Sequence, residues 1–329
     1  MMRRRLLVLT MWCVVIGGVA PAAAQQTTAE GGPDPRALWI FGFDNDIIAD
    51  SDDGYTAGWS IERHSPALDT WGSDRLSPLS RFIGGAVPGL GDDGEGGRRV
   101  RSAWGIAQII QTPENIRSAE LQTGDVPWAG TIGVHASWSS VDDGRFNAVQ
   151  LYLGCMGPCS GAEEIQTFVH DDLGLRVTPQ GWDTQLDTTL LANLNYTLRR
   201  KLMQTGDIGR PGVLAADLSV GGQAGVGSFF NLAEAFLELR WGWGLPRGFT
   251  PIADPAGHGI SAEPRPRAPL DDWQVSFALI PRFVYMADAA TLDGGETADG
   301  RHHPGINYDR TNLQVVSASR PRRSASAHG

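Results

Sequence analysis

Two short signatures of hydrolytic chemistry are missing from this chain: it has neither a G-x-S-x-G nucleophile elbow nor an H-E-x-x-H zinc helix. The acidic run Asp50-Ser51-Asp52-Asp53-Gly54 opens like a calcium-binding EF-hand loop. Its spacing is one residue short, however, and Ser60 stands near the closing position where a Glu belongs; it reads rather as a solvated acidic loop. Cys155 and Cys159 are either a small-loop disulfide of an oxidising compartment or two small residues at a strand end. A zinc site would need further Cys or His ligands nearby. His170 carries an imidazole, which titrates near neutral pH and takes protons there. Alone, such a residue is more often a hydrogen-bonded histidine inside a lumen. Asn45 suits a turn and Thr56 a strand, while His302-His303, in a Gly/Asp/Pro loop, reads as solvated. Taken singly, these residues do not name a reaction.

Arg3-Arg4-Arg5, the apolar stretch Leu6 to Ala20 and Ala22-Ala23-Ala24 before Gln25 have the layout of a secretory signal, so residues 1–24 are expected to be removed and the mature chain to lie in or beyond a bacterial periplasm. Cys13 leaves with the leader. The leader holds three of the 27 basic residues and no acid, so what remains is more acidic than the formal net charge of −10. That balance argues against a nucleic-acid partner, whose electrostatic footprint is basic. A hydrophobic content of 41% is too high for disorder. Beyond residue 24 no apolar run approaches the roughly 18–20 residues of a spanning helix. A soluble domain or a transmembrane β-barrel is left.

Period-2 alternation recurs along the chain. Over Phe236 to Trp243, Leu237, Leu239, Trp241 and Trp243 share one face, against Glu238 and Arg240 on the other. Over Trp273 to Tyr285, Trp273, Val275, Phe277, Leu279, Phe283 and Tyr285 oppose Gln274, Ser276, Ala278, Ile280 and Arg282. Weaker alternation runs through Leu38 to Phe43, Ala57 to Arg63, Ile132 to Trp138 and Val149 to Leu153. Trp and Tyr near the ends of the apolar faces suit an interfacial girdle, and Glu, Arg and Gln opposite them suit a wet lumen. The expected fold is therefore all-β, an antiparallel transmembrane barrel of about 12 strands in one domain over residues 25–316. Leu76 to Arg101, Pro246 to Asp272 and Ala287 to Pro304, rich in Gly, Pro and Asp, are expected as long connections on the extracellular side. Glu114 to Leu121, after Thr112-Pro113, is expected as a short loop helix, and Trp128 and Trp182 as girdle or packing aromatics.

Five segments in order over about residues 38 to 200 resemble the lipid A 3′-O-deacylase family (LpxR type). Asp44-Asn45-Asp46 with Gly54-Tyr55-Thr56-Ala57-Gly58 resembles its N-D … Y-T-x-G signature, and Gln108 to Pro113 its Q-x-x-x-T-P. Pro127-Trp128-Ala129-Gly130 is similar to its P-Y-A-G. Gly157-Pro158 with Gln166 and His170 matches G-P … Q-x-x-x-H, and Gly181 to Gln185 matches G-W-x-x-Q. Asp44 and Ala57 depart from the family's commoner Glu and Asn. The resemblance implies a 12-stranded outer-membrane barrel that uses Ca²⁺ to hydrolyse the 3′ acyloxyacyl group of lipid A in lipopolysaccharide. It implies His170 as general base, Asn45, Asp46 and Thr56 as the other polar residues of the site, and Asp46 as metal holder. Arg117 stands nearest the place of the family's Lys after the T-P segment, to hold a lipid A phosphate. It also implies outer-membrane lipid and the barrel-assembly machinery as partners.

One feature sits badly with a barrel. After Asn312-Leu313-Gln314-Val315-Val316 the chain runs Arg- and Ser-rich from Ser317 to Gly329 without a terminal aromatic. An open edge in lipid is not tolerated, so residues 317–329 are expected to be a disordered or frameshifted tail. The competing functions are a non-catalytic barrel (pore or structural), an outer-membrane phospholipase, and a secreted or periplasmic soluble β-protein.

Overall fold

The computed structural model describes residues 37–45, 57–91, 98–172, 178–210, 212–250, 274–308 and 310–322, and for 44–45, 171–172, 274 and 312–322 the backbone only. The leader, Asp46, the acidic run 50–54, Thr56 and the last seven residues of the tail lie outside the described residues. Among those described, ten strands form one antiparallel sheet in which each strand pairs with the next along the sheet. They are β1 (Leu38–Asn45), β2 (Ala57–His64), β3 (Arg99–Gln111), β4 (Ala129–Val141), β5 (Arg145–Met156), β6 (Thr189–Thr205), β7 (Leu214–Gly227), β8 (Phe230–Trp243), β9 (Gln274–Ala289) and β12 (Thr311–Arg322). Between the last two, β10 (Gly295–Glu296) and β11 (His302–His303) make a separate ribbon. About twelve strands were expected in the wall. The described residues supply ten of them. β12 pairs with β9 as far as Arg322↔Gln274, six residues beyond Val316, so part of the expected tail belongs to the wall.

The sheet is strongly curled. Gln111 at the end of β3 donates Nε2–H to the carbonyl of Thr291 just beyond β9, at 2.7 Å. Six strand spacings in a flat sheet would hold these groups roughly 29 Å apart. The face on the concave side of that curl is polar. Arg282 meets Glu234 through two bonds of 2.7 Å; Lys201 and Arg240 both meet Asp217 at 2.9 Å; Arg199 lies 3.3 Å from Glu238. All of these charged groups are buried. Apolar clusters pack inside at both ends, with Tyr152, Leu191, Phe229 and Phe230 at one and Phe146 and Phe249 at the other. The convex face carries the exposed apolar residues: Trp39, Phe41 and Phe43 on β1, Trp104 on β3, Val134 on β4, Leu151 and Leu153 on β5, Leu194 and Leu198 on β6, Leu237, Leu239, Trp241 and Trp243 on β8, Phe277, Leu279, Phe283 and Tyr285 on β9. This sorting is the reverse of a soluble protein's and matches a wall standing in hydrocarbon.

Strand direction divides the connections between two ends. The β1–β2, β3–β4, β5–β6, β7–β8 and β9–β12 links lie at one end, and β2–β3, β4–β5, β6–β7 and β8–β9 at the other. The three long connections expected on a common side are therefore split: 76–101 and 246–272 share one end, and 287–304 is at the opposite one. Two helices stand among them, α1 (Pro78–Ala86) after β2 and α2 (Ala162–Asp172) after β5.

The sorting makes a paired prediction. Leu239→Arg should destabilise the barrel by roughly 2–4 kcal/mol if position 239 stands near mid-membrane. Arg282→Leu, which strands Glu234 in the interior, should cost about 3–5 kcal/mol. Urea unfolding from phospholipid vesicles measures both, and a neutral result for Leu239→Arg would contradict lipid contact on the convex face.

Candidate functional site

One transverse row carries most of the sequence motifs. Asn45 pairs with Ala57, Ala57 with Ile110, and Ile110 with Gly130. Paired residues of an antiparallel sheet share a face, and Gly130 shares its face with the exposed Val134 by strand alternation. The row thus belongs to the convex side. There the exposed surface ends, because the β5–β6 connection folds back over it. Gly157 donates its N–H to the carbonyl of Gly130 at 2.9 Å, and Gln108 donates Nε2–H to the carbonyl of Ser160 at 2.7 Å while accepting from Trp59 Nε1 at 2.7 Å. A Cβ at Gly130 would lie 2.2 Å from both Ala162 Cβ and Ser160 Oγ. Glycine is what lets α2 begin against the sheet.

The seat of α2 is aromatic. Trp128 and Trp182, both fully buried, meet edge to face with centroids 4.9 Å apart. Ile110 and Ala162 complete the cluster, with Ile116 and Ile165 against it. These tryptophans are packing residues, not girdle. A Cβ at Gly181 would meet Trp128 Nε1 at 2.3 Å, so the second motif glycine admits the indole. At the foot of the connection Cys155, at the end of β5, is disulfide-bonded to Cys159.

On this seat α2 presents its chemistry. His170 lies in the last turn, half-buried. Gln166, one turn earlier and hence on the same helical face, is buried; its Oε1 accepts from Trp182 Nε1 at 2.9 Å. Its Nε2 has no hydrogen-bond partner among the described residues. In the sequence Gln166 stands out only as a letter of the G-P … Q-x-x-x-H motif; its i, i+4 spacing to His170 was the available signal. Burial, then Glu164 and Asp183, push the Glu163 carboxyl above its usual range, so negative charge is already crowded at the start of the helix.

Arg117 is exposed in a turn beside Ile116, and that turn joins the α2 seat through Gln180 N–H to the Ile116 carbonyl at 2.8 Å. The helix expected over Glu114 to Leu121 is absent. Asn115 and Asp125 cap local turns instead, through Oδ1 accepting from Arg117 N–H and Oδ2 from Glu114 N–H. His303, expected to be solvated, is 1% exposed. Its Nδ1 accepts from Gly305 N–H and its Nε2 donates to the Gln122 carbonyl, each at 3.0 Å, pinning the β10–β11 ribbon to the β3–β4 loop; His302 is exposed as expected. The structure therefore brings His170, Gln166 and the Arg117 turn onto one seat, with Asn45 on its row. Asp46 and Thr56 lie outside the described residues. Among the described residues no three His, Cys, Asp or Glu converge to hold a metal.

Gly130→Leu should unseat α2. Near-UV circular dichroism should lose part of the tryptophan signal, and limited proteolysis should cut within 157–188, while the gel mobility of the folded wall persists. Overpacking of this kind costs about 1–3 kcal/mol. An unchanged proteolysis pattern would show that the seat does not depend on close approach at Gly130.

A family model described as outer membrane protein LpxR matches residues 7–317. Among solved structures, LpxR from Salmonella typhimurium superposes with a TM-score of 0.61 at 15% identity, covering 87% of this chain and 89% of that one. A search of curated proteins finds no match. The chain accordingly belongs to the LpxR family of outer-membrane proteins.

Proposed function

We propose that the protein is a calcium-dependent hydrolase that removes the 3′-linked acyloxyacyl group of lipid A. The observation that carries this reading is the position of His170 and Gln166 on α2. The helix folds against the convex, lipid-facing side of the wall, where a lipid's ester linkages lie and a soluble substrate's do not.

In this reading a water molecule loses a proton to the His170 imidazole as it attacks the ester carbonyl. The carbonyl oxygen gains negative charge and accepts from Gln166 Nε2–H, a buried donor with no partner among the described residues. Collapse of the tetrahedral intermediate breaks the acyl C–O bond. The proton held by His170 passes to the departing sugar oxygen, and the acyl group leaves as a carboxylic acid. Asn45 and Thr56 orient the water and the ester. Arg117, exposed in its turn, pairs with a lipid A phosphate.

Hard oxygen donors are what Ca²⁺ takes, and the 46–56 link holds four Asp, with Asp46 directly after Asn45 on the motif row. That donor set fits the ion in kind, with Asp46 as its principal holder. Bound there, calcium would supply a Lewis acid for the scissile carbonyl.

Mass spectrometry of lipid A from cells expressing the protein provides the test. The wild type should convert lipid A to the species lacking the 3′ acyloxyacyl unit, and a calcium chelator should stop the conversion in isolated membranes. His170→Ala should lower turnover by about 10²–10⁴-fold and Gln166→Leu by about 10²–10³-fold, both with unchanged gel mobility of the folded barrel. Intact lipid A beside cleaved labelled phospholipid would favour the phospholipase, and no cleavage of either the inert barrel.

A further inference from the structure

We propose that α1 is an in-plane membrane helix whose outer stripe, Leu79, Phe82 and Ala86, inserts into the phospholipid leaflet at the end of the wall opposite α2. The helix is apolar on two sides, and an element of that kind needs two apolar partners. Its inner side has one. Ser80 and Gly84 are buried, and Ile83 and Val87 pack on the cluster of Leu68, Trp71, Leu76, Leu90, Val100, Trp138 and Val149. Its outer side does not: Leu79 is 59% and Phe82 71% exposed, one turn apart.

The second partner follows from where the inner cluster stands. Val100 shares its face with the exposed Trp104, Trp138 with Val134, and Val149 with Leu151 and Leu153, by alternation along β3, β4 and β5. These anchors belong to the convex side, so α1 lies on the same side of the wall as the lipid-facing belt. Its outer stripe continues that belt towards the far end. A lipid leaflet already in contact with Trp104 and Val134 reaches it without a gap; a protein partner would have to displace that lipid first.

The helix is also held in place, so the stripe cannot turn inward. Ser77 caps it, accepting from Ser80 N–H at 3.1 Å, and Pro78 opens it. Trp138 Nε1 donates to Ser80 Oγ at 3.1 Å and Trp71 Nε1 to the Leu90 carbonyl at 2.7 Å. A Cβ at Gly84 would sit 2.0 Å from the Trp71 ring, so the contact there is as close as the backbone permits. Charged groups rim the apolar stripe, with Arg81 3.2 Å from the exposed Asp74 and Arg99 paired with Asp69. That is the arrangement of a helix lying at the headgroup level. Contact with lipid is read from these residues alone. Naming the leaflet as phospholipid rests on the reading that α2 acts on lipid A, which puts the opposite end in the other leaflet.

The test attaches a nitroxide label to Leu79→Cys and Phe82→Cys in phosphatidylcholine–phosphatidylglycerol vesicles, where Cys155 and Cys159 are already bonded to each other. Collisions with oxygen and with a water-soluble nickel chelate are compared with those of Val134→Cys on the belt and Glu120→Cys in an exposed loop. Oxygen collisions should exceed nickel collisions at 79 and 82, as at 134. Nickel-dominated values like those at 120, or spin–spin broadening from a second copy, would overturn the proposal. In intact cells an impermeant maleimide should leave Asp74→Cys unmodified while labelling Glu120→Cys; modification of Asp74→Cys would overturn the leaflet assignment. Neither readout depends on turnover, so a failed deacylation assay and a failed α1 contact remain separate results.

Discussion

Hydrocarbon offers a charge no partner and an unpaired backbone group no water, and the architecture here answers to that constraint before any other. From β2 to β9 each strand of the sheet gives its N–H and C=O groups to a neighbour on either side. Along each strand, alternation then delivers one face to lipid and the other to the interior. Arg282 and Glu234, or Lys201, Arg240 and Asp217, cost little inside only because each has an opposite charge within bonding reach. The same residues turned outward would have none.

The site depends on a local exception to that sorting. Gln108 is a polar residue on the convex face, where an amide against lipid would be costly. It is tolerated because the β5–β6 connection covers it and hands it the Ser160 carbonyl. Glycines 130 and 181 allow that cover to close against Ala162 and Trp128. A helix bearing an imidazole and a buried amide is thereby fixed to the outside of a membrane wall rather than inside it. An enzyme whose substrate is a lipid gains from this, because the ester reaches the helix by lateral movement within its leaflet.

Much of the wall was legible because its alternation is nearly perfect where it matters. Glu238 and Arg240 against Leu237, Leu239, Trp241 and Trp243 assign β8 to both of its environments at once, and β9 reads the same way across Pro281. β3 was less visible. Its outward residues pass from Trp104 to Gln108 under the α2 cover, so a single exposed stripe never runs its full length, and its start at Arg99 was assigned to a loop. α2 was missed because a helix half over a protein seat and half in solvent has no clean apolar stripe. The helix expected over 114–121 loses to Asn115 and Asp125, which offer the backbone local side-chain bonds. Of the candidate site, His170 was readable from motif spacing and Arg117 from its place after Thr112-Pro113. The aromatic seat was not, since contact between Trp128 and Trp182 is a long-range fact that neither local sequence contains.

The proposed reaction requires the α2 imidazole and the Asp46 carboxylate to meet on the convex face of the wall. A crystal structure grown with calcium measures this directly, as the distance between the His170 ring and the Asp46 carboxylate. The expected result is a calcium ion on Asp46 and a separation that a single water can bridge. An ion bound elsewhere, or an imidazole too far from that carboxylate for one water to span, would contradict it.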